Sequence, residues 1–332
     1  MKFKLLLTMT VAAMLAMPIS SFAKTYQVAV GDPKGSDQAA VADAFKKHIE
    51  EMSNGDITIE IFYSSTLGDE TETLRNVQNG TLPFSVAGIA NVVPFQKNLG
   101  IMTLPYLWDT LDEVVVGTTG APAEFINSYA LKVGFRFIAY AYTDFRFMTN
   151  SRRPITKMSD MQGLKFRVPQ SAILIASYKA FGASPTPISW SETFTALQQG
   201  VVDGQCNGYL TIQTMKFLEA NQKYLTEVHY TYQVQPLVMS ERIFKKLSKE
   251  EQNLIIEAGK KAQQDALDFH KQFTQKAKEE MIADGLVVSY LEDEDQWKKA
   301  AYEKVWPEME NFVGGKQFIN EYLKLLGKPE WK

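Results

Sequence analysis

Short alternating apolar segments and amphipathic stretches follow one another along most of the chain. Val28 and Val30 lie on one face of an alternating segment that Gly31 ends, and a later run, residues 57–62, is rich in β-branched side chains. The pattern predicts strands at 26–30, 57–62 and 82–87 and helices at about 39–52 and 69–79. Strands that alternate with helices predict an α/β fold with a largely parallel sheet.

A second α/β region runs from 135 to about 232. Its strands are predicted at 135–142, 164–168 and 201–204 and its helices at 171–181 and 191–199. Gly182 and Gly200 lie where helix C-terminal caps belong. No low-complexity linker separates the two regions, so we expect interwoven domains. The expected boundaries are 24–145 plus about 233–270 for domain I, and 146–232 plus about 271–332 for domain II.

The longest periodic segment begins at Ser248. Glu251, three residues later, completes a capping box, and the pattern continues without proline to Ala283. At about 1.5 Å per residue this helix would be roughly 54 Å long. Its apolar positions keep no strict heptad, which argues against a coiled coil. We therefore predict one helix that crosses both domains.

The chain begins with a different pattern. Lys2 and Lys4 precede an apolar run at 5–17, and small residues lead to Ala23. This arrangement is typical of a signal peptide, here 1–23, that is cleaved after Ala23 on export. A membrane-spanning helix is the alternative, but the run is shorter than the about 20 apolar residues that a span needs.

Composition narrows the classes of partner. Without Lys2 and Lys4 the 35 basic side chains fall to 33, against 38 acidic ones, so the exported chain has a formal charge of −5. The absence of a basic tract argues against nucleic acid and lipid surfaces. Cys206 is the single cysteine, so no internal disulfide can form. The about 309 remaining residues exceed what one core usually organises, which favours two domains.

An enzyme is the main rival class, because α/β sheets with a cleft often carry catalysis. The chain has no dinucleotide-binding or phosphate-binding glycine motif, no nucleophile elbow and no paired-histidine zinc motif. Its three histidines, His48, His229 and His270, lie in unrelated contexts, and one cysteine cannot build a thiolate metal cluster. We therefore expect no enzyme, no metal site and no cofactor.

Five segments, in order, resemble the periplasmic solute receptors of tripartite ATP-independent (TRAP) transporters, the DctP-type family. They are 64–70 (SSTLGDE), 149–152 (TNSR), 160–169 (DMQGLKFRVP), 182–187 (GASPTP) and 202–207 (VDGQCN). The resemblance extends over the whole chain after the signal peptide. It implies a hinged two-domain clamshell, like other periplasmic binding proteins, with a long helix spanning both domains. It also implies a periplasmic receptor that binds a small organic acid and hands it to the membrane permease subunits. We expect this receptor to be a monomer.

The resemblance implies that Arg167 clamps the carboxylate of the ligand. A guanidinium is planar, always charged and able to give two parallel hydrogen bonds to a carboxylate. An ion pair with Asp160 or Glu192 is the alternative role. Arg146 would supply a second positive charge, although a surface ion pair is the ordinary fate of an arginine. Whether Arg152 or Arg153 contributes stays open.

The other expected ligand-binding residues are amides, acids and one tryptophan. Asn207 matches an asparagine of the family whose amide can donate and accept, and its alternative role is to cap a helix at 208–215. Trp190 could cover an apolar part of the ligand or belong to the core. Loops that follow strands of the first region face the expected cleft. They carry Asp37, Gln38, Glu70 and Asn91.

Two classes of acid fit these residues. A sugar acid needs partners along its hydroxyls, which Glu70, Gln38, Asn91 and Asn207 would supply. An aromatic or keto acid, or a sulfonate, needs fewer polar partners. Because four unpaired polar groups would be costly to bury, the sugar acid is favoured. Cys206 stands where many relatives have a carboxylate, which weakens this preference. A sensory receptor that signals to a membrane partner would use the same cleft.

Overall fold

The computed structural model describes residues 24–332, and the predicted signal peptide at 1–23 lies outside the described residues. The strands are β1 (Lys24–Val30), β2 (Ile57–Phe62), β3 (Phe84–Val86), β4 (Phe135–Phe145), β5 (Phe147–Asn150), β6 (Lys165–Val168), β7 (Ser184–Pro187), β8 (Gly204–Asn207), β9 (Tyr224–Glu227), β10 (Tyr232–Ser240) and β11 (Val287–Tyr290). Across this range, no helix is both long enough and apolar enough to cross a membrane.

Between residues 24 and 332, thirteen α-helices alternate with and follow these strands. They are α1 (Asp37–Met52), α2 (Glu70–Asn79), α3 (Ile89–Val92), α4 (Leu111–Gly117), α5 (Gly120–Leu131), α6 (Ala172–Ala180), α7 (Thr193–Gln198), α8 (Tyr209–Thr214), α9 (Glu241–Phe244), α10 (Lys249–Ala283), α11 (Glu294–Ala300), α12 (Trp306–Val313) and α13 (Lys316–Leu325). A π-helical turn joins α11 to α12. The mixed α/β character expected from the sequence is confirmed.

The first sheet has the strand order β2-β1-β3-β10-β4. β1 is parallel to β2 and β3, whereas β10 is antiparallel to β3 and β4. Val28 and Val30 of β1 pack with Phe45 of α1 in one hydrophobic cluster. The alternation seen in the sequence therefore places one face of β1 against α1.

The second sheet has the order β11-β9-β5-β8-β6-β7. The strand predicted at 135–142 within the second region runs to Phe145 and instead belongs to the first sheet as β4. The chain passes between the sheets after Phe145, returns between Glu227 and Tyr232, and passes again after α10. The predicted domain boundaries stay a prediction, and these crossings support them.

The strand predicted at 201–204 is wrong, because the strand is β8, Gly204–Asn207. The Asp203 carboxylate accepts the backbone N–H of Lys165 at 2.9 Å, so the side chain takes the donor that a neighbouring strand would have used. The ladder begins only at Gly204, opposite Phe166. A Cβ at Gly204 would lie 2.2 Å from the carbonyl oxygen of Thr149, so the strands approach this closely only with glycine there.

The predicted long helix is confirmed as α10. Its capping box forms as expected, since the Ser248 hydroxyl accepts from the Glu251 N–H and the Glu251 carboxylate accepts from the Ser248 N–H. Ile255 and Ala262 pack in the cluster that includes β1, whereas Ala277 and Met281 belong to a different cluster that includes side chains of α8. One helix thus contributes to both cores.

We expect Gly259→Ala to destabilise the protein. In most helices this change adds about 0.5–1 kcal/mol of stability. Here a Cβ would lie 2.5 Å from the carbonyl oxygen of Ile138 on β4, so helix and strand would have to separate. Overpacking of this kind costs about 1–3 kcal/mol in the free energy of unfolding, measured by urea denaturation. The exposed Lys261→Ala on the same helix is the control. A Gly259→Ala protein at least as stable as wild type would contradict this packing.

Candidate functional site

A small cavity lies where strands of the two sheets end. It is a narrow space between the two walls. Seven of the eight residues expected to bind ligand line it together, namely Gln38, Glu70, Asn91, Arg146, Arg167, Trp190 and Asn207. Because carboxyl ends of parallel strands meet at one edge of a sheet, residues far apart in sequence converge here.

Glu70 organises the wall that the first sheet supplies. Its carboxylate accepts from Gln38 Nε2 at 2.6 Å, from Asn91 Nδ2 at 2.6 Å and from the Gly88 N–H at 2.9 Å. Gln38 in turn accepts the Gly31 N–H at 2.9 Å. One carboxylate thus ties the loops after β1 and β3 to the start of α2. Glu70 is buried, and burial raises its pKa although these donors oppose the rise.

Arg167 is the penultimate residue of β6, with its guanidinium buried in the cavity. Its Nε donates to the carbonyl oxygen of Ile188 at 3.0 Å, which is the single hydrogen bond that the guanidinium makes with the described residues. Among residues 24–332 no carboxylate oxygen lies within 4.0 Å of the Arg167 guanidinium. The alternative ion pairs with Asp160 and Glu192 therefore do not form. Both terminal nitrogens are left for a ligand.

Arg146 lies between β4 and β5 and is held more firmly. Its Nη2 donates to the carbonyl oxygen of Cys206 at 2.9 Å, its Nε contacts Cys206 Sγ at 3.3 Å, and its Nη1 donates to Gln233 Oε1. Like Arg167 it is buried without a carboxylate partner in the described range. Burial first, and then repulsion by Arg146, lowers the pKa of Arg167 to about 10. The cavity is therefore strongly cationic on this side.

Trp190 and Asn207 complete the wall that the second sheet supplies. The indole Nε1 donates to Asp32 Oδ1 at 2.7 Å, across the cleft. The Arg167 guanidinium carbon lies 5.3 Å from the centroid of the indole. Asn207 ends β8, and Gly208 rather than Asn207 caps α8, so the alternative capping role is wrong. Its Nδ2 donates to Gln205 Oε1 at 2.6 Å.

Asp37 is the expected site residue that the structure places elsewhere. It is the first residue of α1, and its Oδ1 lies 3.5 Å from His270 Nδ1 on α10 instead of lining the cavity. Consecutive helical residues point about 100° apart. Gln38 and Asp37 therefore cannot both face the same cavity.

Several residues that the sequence did not indicate also line the cavity. The polar ones include Asp32, Gln233 and Gln235. Asp32 lies in the loop after β1, which is one of the loops expected to face the cleft, so the sequence could have indicated it. Gln233 and Gln235 lie two residues apart in β10, on one face of an otherwise mostly apolar strand. Two amides on one face of an apolar strand are the sequence feature that could have indicated a polar cavity there.

Several acceptors in the cavity have no partner. Asp32 Oδ2 and Gln235 Oε1 are buried without a hydrogen bond from the described residues, as is Thr211 Oγ1. Burial, and then the charge of Glu70, raises the pKa of Asp32 well above its ordinary value. Within residues 24–332, His, Cys, Asp and Glu side chains form no group of three that could hold a metal ion. The arrangement can bind an anion at one side and hydrogen-bond donors at the other.

Comparisons with known proteins agree on one family. The DctP family model, described as bacterial extracellular solute-binding protein, family 7, matches residues 28–312. A solute-binding protein of Verminephrobacter eiseniae is 36% identical over 240 residues, covering 71% of this chain and 70% of that protein.

Two solved structures are similar along nearly their whole length. A TRAP periplasmic solute-binding protein from Polaromonas sp. JS666, bound to D-erythronate, has a TM-score of 0.85 at 29% identity, covering 91% of this chain and 98% of its own. A sugar acid binding protein from Advenella mimigardefordensis, in complex with galactonate, has a TM-score of 0.86 at 25% identity, covering 92% and 98%.

We expect Asp32→Asn to stabilise the ligand-free protein at neutral and higher pH. A carboxyl group whose folded-state pKa is raised binds its proton more tightly when folded, so its burial costs stability as pH rises above the unfolded-state pKa. Asparagine keeps an acceptor for Trp190 Nε1 without the charge.

The check is the unfolding midpoint of both proteins at about pH 4.5 and about pH 8, where the advantage of the variant should be larger at the higher pH. Asp56→Asn, which removes a charge from an exposed turn, is the control. A variant that is equally less stable at both pH values would show that Asp32 is not a buried charge that costs stability.

Proposed function

Because the chain belongs to the DctP family of bacterial extracellular solute-binding proteins, we propose that it captures a hydroxylated organic acid in this cavity and delivers it to TRAP permease subunits. Proteins of this family work in the periplasm with small organic acids and a membrane permease. Cleavage after Ala23 would release the mature receptor there, where it acts as a monomer. The observation that carries the proposal is the burial of Arg146 and Arg167 in one cavity without a carboxylate partner in the described chain.

The carboxylate of the ligand binds between these two arginines. Arg167 presents both terminal nitrogens, because Ile188 engages only its Nε. Arg146 is already braced by Cys206 and Gln233, so it acts mainly through its charge. An anion bound here offsets the repulsion between the two cations and supplies hydrogen bonds that water no longer provides.

The rest of the ligand carries hydroxyl groups. Asp32 Oδ2 and Gln235 Oε1 are acceptors without donors, and a buried acceptor left unpaired costs about 1–3 kcal/mol. Hydroxyls of a sugar acid satisfy them, whereas an aromatic acid, a simple keto acid or a sulfonate brings no such donors. The relatives bound to D-erythronate and galactonate support this class of ligand.

The cavity holds its ligand and does not convert it. Glu70 already accepts three hydrogen bonds and is poorly placed to act as a general base. The family is one of solute receptors, which supports the same conclusion.

Arg167→Ala should abolish high-affinity binding of a sugar acid such as gluconate. Leaving a buried charge without its partner costs about 3–5 kcal/mol, roughly two to four decades in affinity. Arg167→Lys should be nearly as damaging, because a lysine cannot hold Ile188 and grip a carboxylate with two donors at once. The measurement is isothermal titration calorimetry on folded protein. Arg75→Lys, an exposed arginine of α2, should bind as wild type does. Wild-type affinity in Arg167→Lys would refute the clamp.

A six-carbon sugar acid should outcompete phenylpyruvate for the site. The buried acceptors favour a ligand with several hydroxyl donors, by about five- to 150-fold for each unpaired acceptor that is satisfied. Competition can be followed by tryptophan fluorescence, with Trp190→Phe as the control for the origin of the signal. If phenylpyruvate wins by tenfold or more, Trp190 covers an aryl ring and the hydroxylated ligand is wrong.

A further inference from the structure

The indole of Trp190 lines two cavities in the cleft. One is the ligand cavity that contains Arg167 and Asn207. The other, which we call the outer cavity, includes Gly31, Ser64, Ser65, Ser191 and Lys216 in its lining and has a space of about 660 Å³. Trp190 is the residue that the two linings share.

Contacts on several sides hold the indole in place. Its Nε1 donates to Asp32 Oδ1 at 2.7 Å, and the Arg167 guanidinium carbon lies 5.3 Å from its centroid. The ring of Phe217 approaches edge-on, with the centroids 5.9 Å apart. A Cβ on Gly31 would lie 3.1 Å from the indole Cδ1, so the indole closes against bare backbone. The side chain is 6% exposed and has little freedom to swing aside.

We infer that Trp190 is the wall that limits the length of the ligand. The inference rests on the proposed function and adds a size rule to it. An acid whose carboxylate lies at Arg167 and whose hydroxyls reach Asp32 Oδ2 approaches the indole, because Trp190 Nε1 donates to the same Asp32 carboxylate. A longer acid meets the ring. The outer cavity carries hydroxyl groups at Ser64 and Ser191, which are suitable partners for further sugar hydroxyls. Long acids are therefore excluded by the indole and not by the chemistry beyond it.

The test is a series of aldonates of increasing length. We would measure the dissociation constants of D-erythronate, gluconate and lactobionate, which is gluconate extended by a galactosyl group, for wild type and Trp190→Ala. In wild type the affinity should fall steeply at one step of the series. In Trp190→Ala that step should move to a longer acid, so that the ratio of long-acid to short-acid dissociation constants falls at least about tenfold.

Two further variants keep the result interpretable. Trp190→Phe leaves most of the wall and should keep the wild-type ratio. Trp190→Leu keeps an apolar contact with Phe217 and opens the wall partly, so it carries the test if circular dichroism shows Trp190→Ala to be unfolded. Adding Arg167→Lys to the Trp190 variants should weaken every acid, which would show that the carboxylate still binds at the same place.

The outcomes separate the two proposals. If wild type binds none of the acids, the proposed ligand class fails and the size rule fails with it. If wild type binds short acids through Arg167 but the affinity falls at the same length in Trp190→Ala and Trp190→Leu, only the wall is wrong. Equal affinity of wild type for lactobionate and the shorter acids would also overturn the wall and leave the proposed function standing.

Discussion

Two guanidinium groups are buried in one cavity with no carboxylate within ion-pair distance among the described residues, and the rest of the site is arranged around that charge. Burial of an unpaired ion is costly unless hydrogen bonds and a counter-ion compensate it. Arg146 has compensation from Cys206 and Gln233, whereas Arg167 has a single carbonyl partner. The incomplete compensation at Arg167 favours an anion as the partner of its terminal nitrogens.

The opposite wall of the cavity contains a buried negative charge that must also be compensated. Among the described residues no cation lies within ion-pair distance of the buried Glu70 carboxylate, and three donors from two segments, Gln38 and 88–91, satisfy it. These bonds fix the loops after β1 and β3, so the acceptors at Asp32 and Gln235 are positioned before a ligand arrives. A site that is ordered in advance loses less conformational entropy on binding. The cavity thus offers positive charge at one side and acceptors at the other, the arrangement that a hydroxy acid complements.

Trp190 connects the two walls because it belongs to the second-sheet side and donates to Asp32 on the first-sheet side. Ser191 also reaches across the cleft, where its N–H lies 3.3 Å from Asp69 Oδ2. Contacts of this kind form only when the two sides of the cleft are together. The same tryptophan therefore participates in closing the cleft and in setting the space that remains for a ligand.

The sequence by itself determined the alternating elements, the capped helix α10 and seven of the cavity residues, because hydrophobic period, capping chemistry and family motifs are local signals. Tertiary structure decided the rest. The Asp203 carboxylate accepts the Lys165 N–H, beside its own N–H bond to the Lys165 carbonyl, just before β8 begins at Gly204. The turn of α1 directed Asp37 to His270 while Gln38 faced the cavity. The predicted domain I already grouped 24–145 with about 233–270, but the pairing of β4 with β10, nearly one hundred residues apart, is a tertiary contact. Gln233 and Gln235 reach the cavity through the same pairing. Such contacts depend on which distant segments of the chain pack together, and local composition does not predict this.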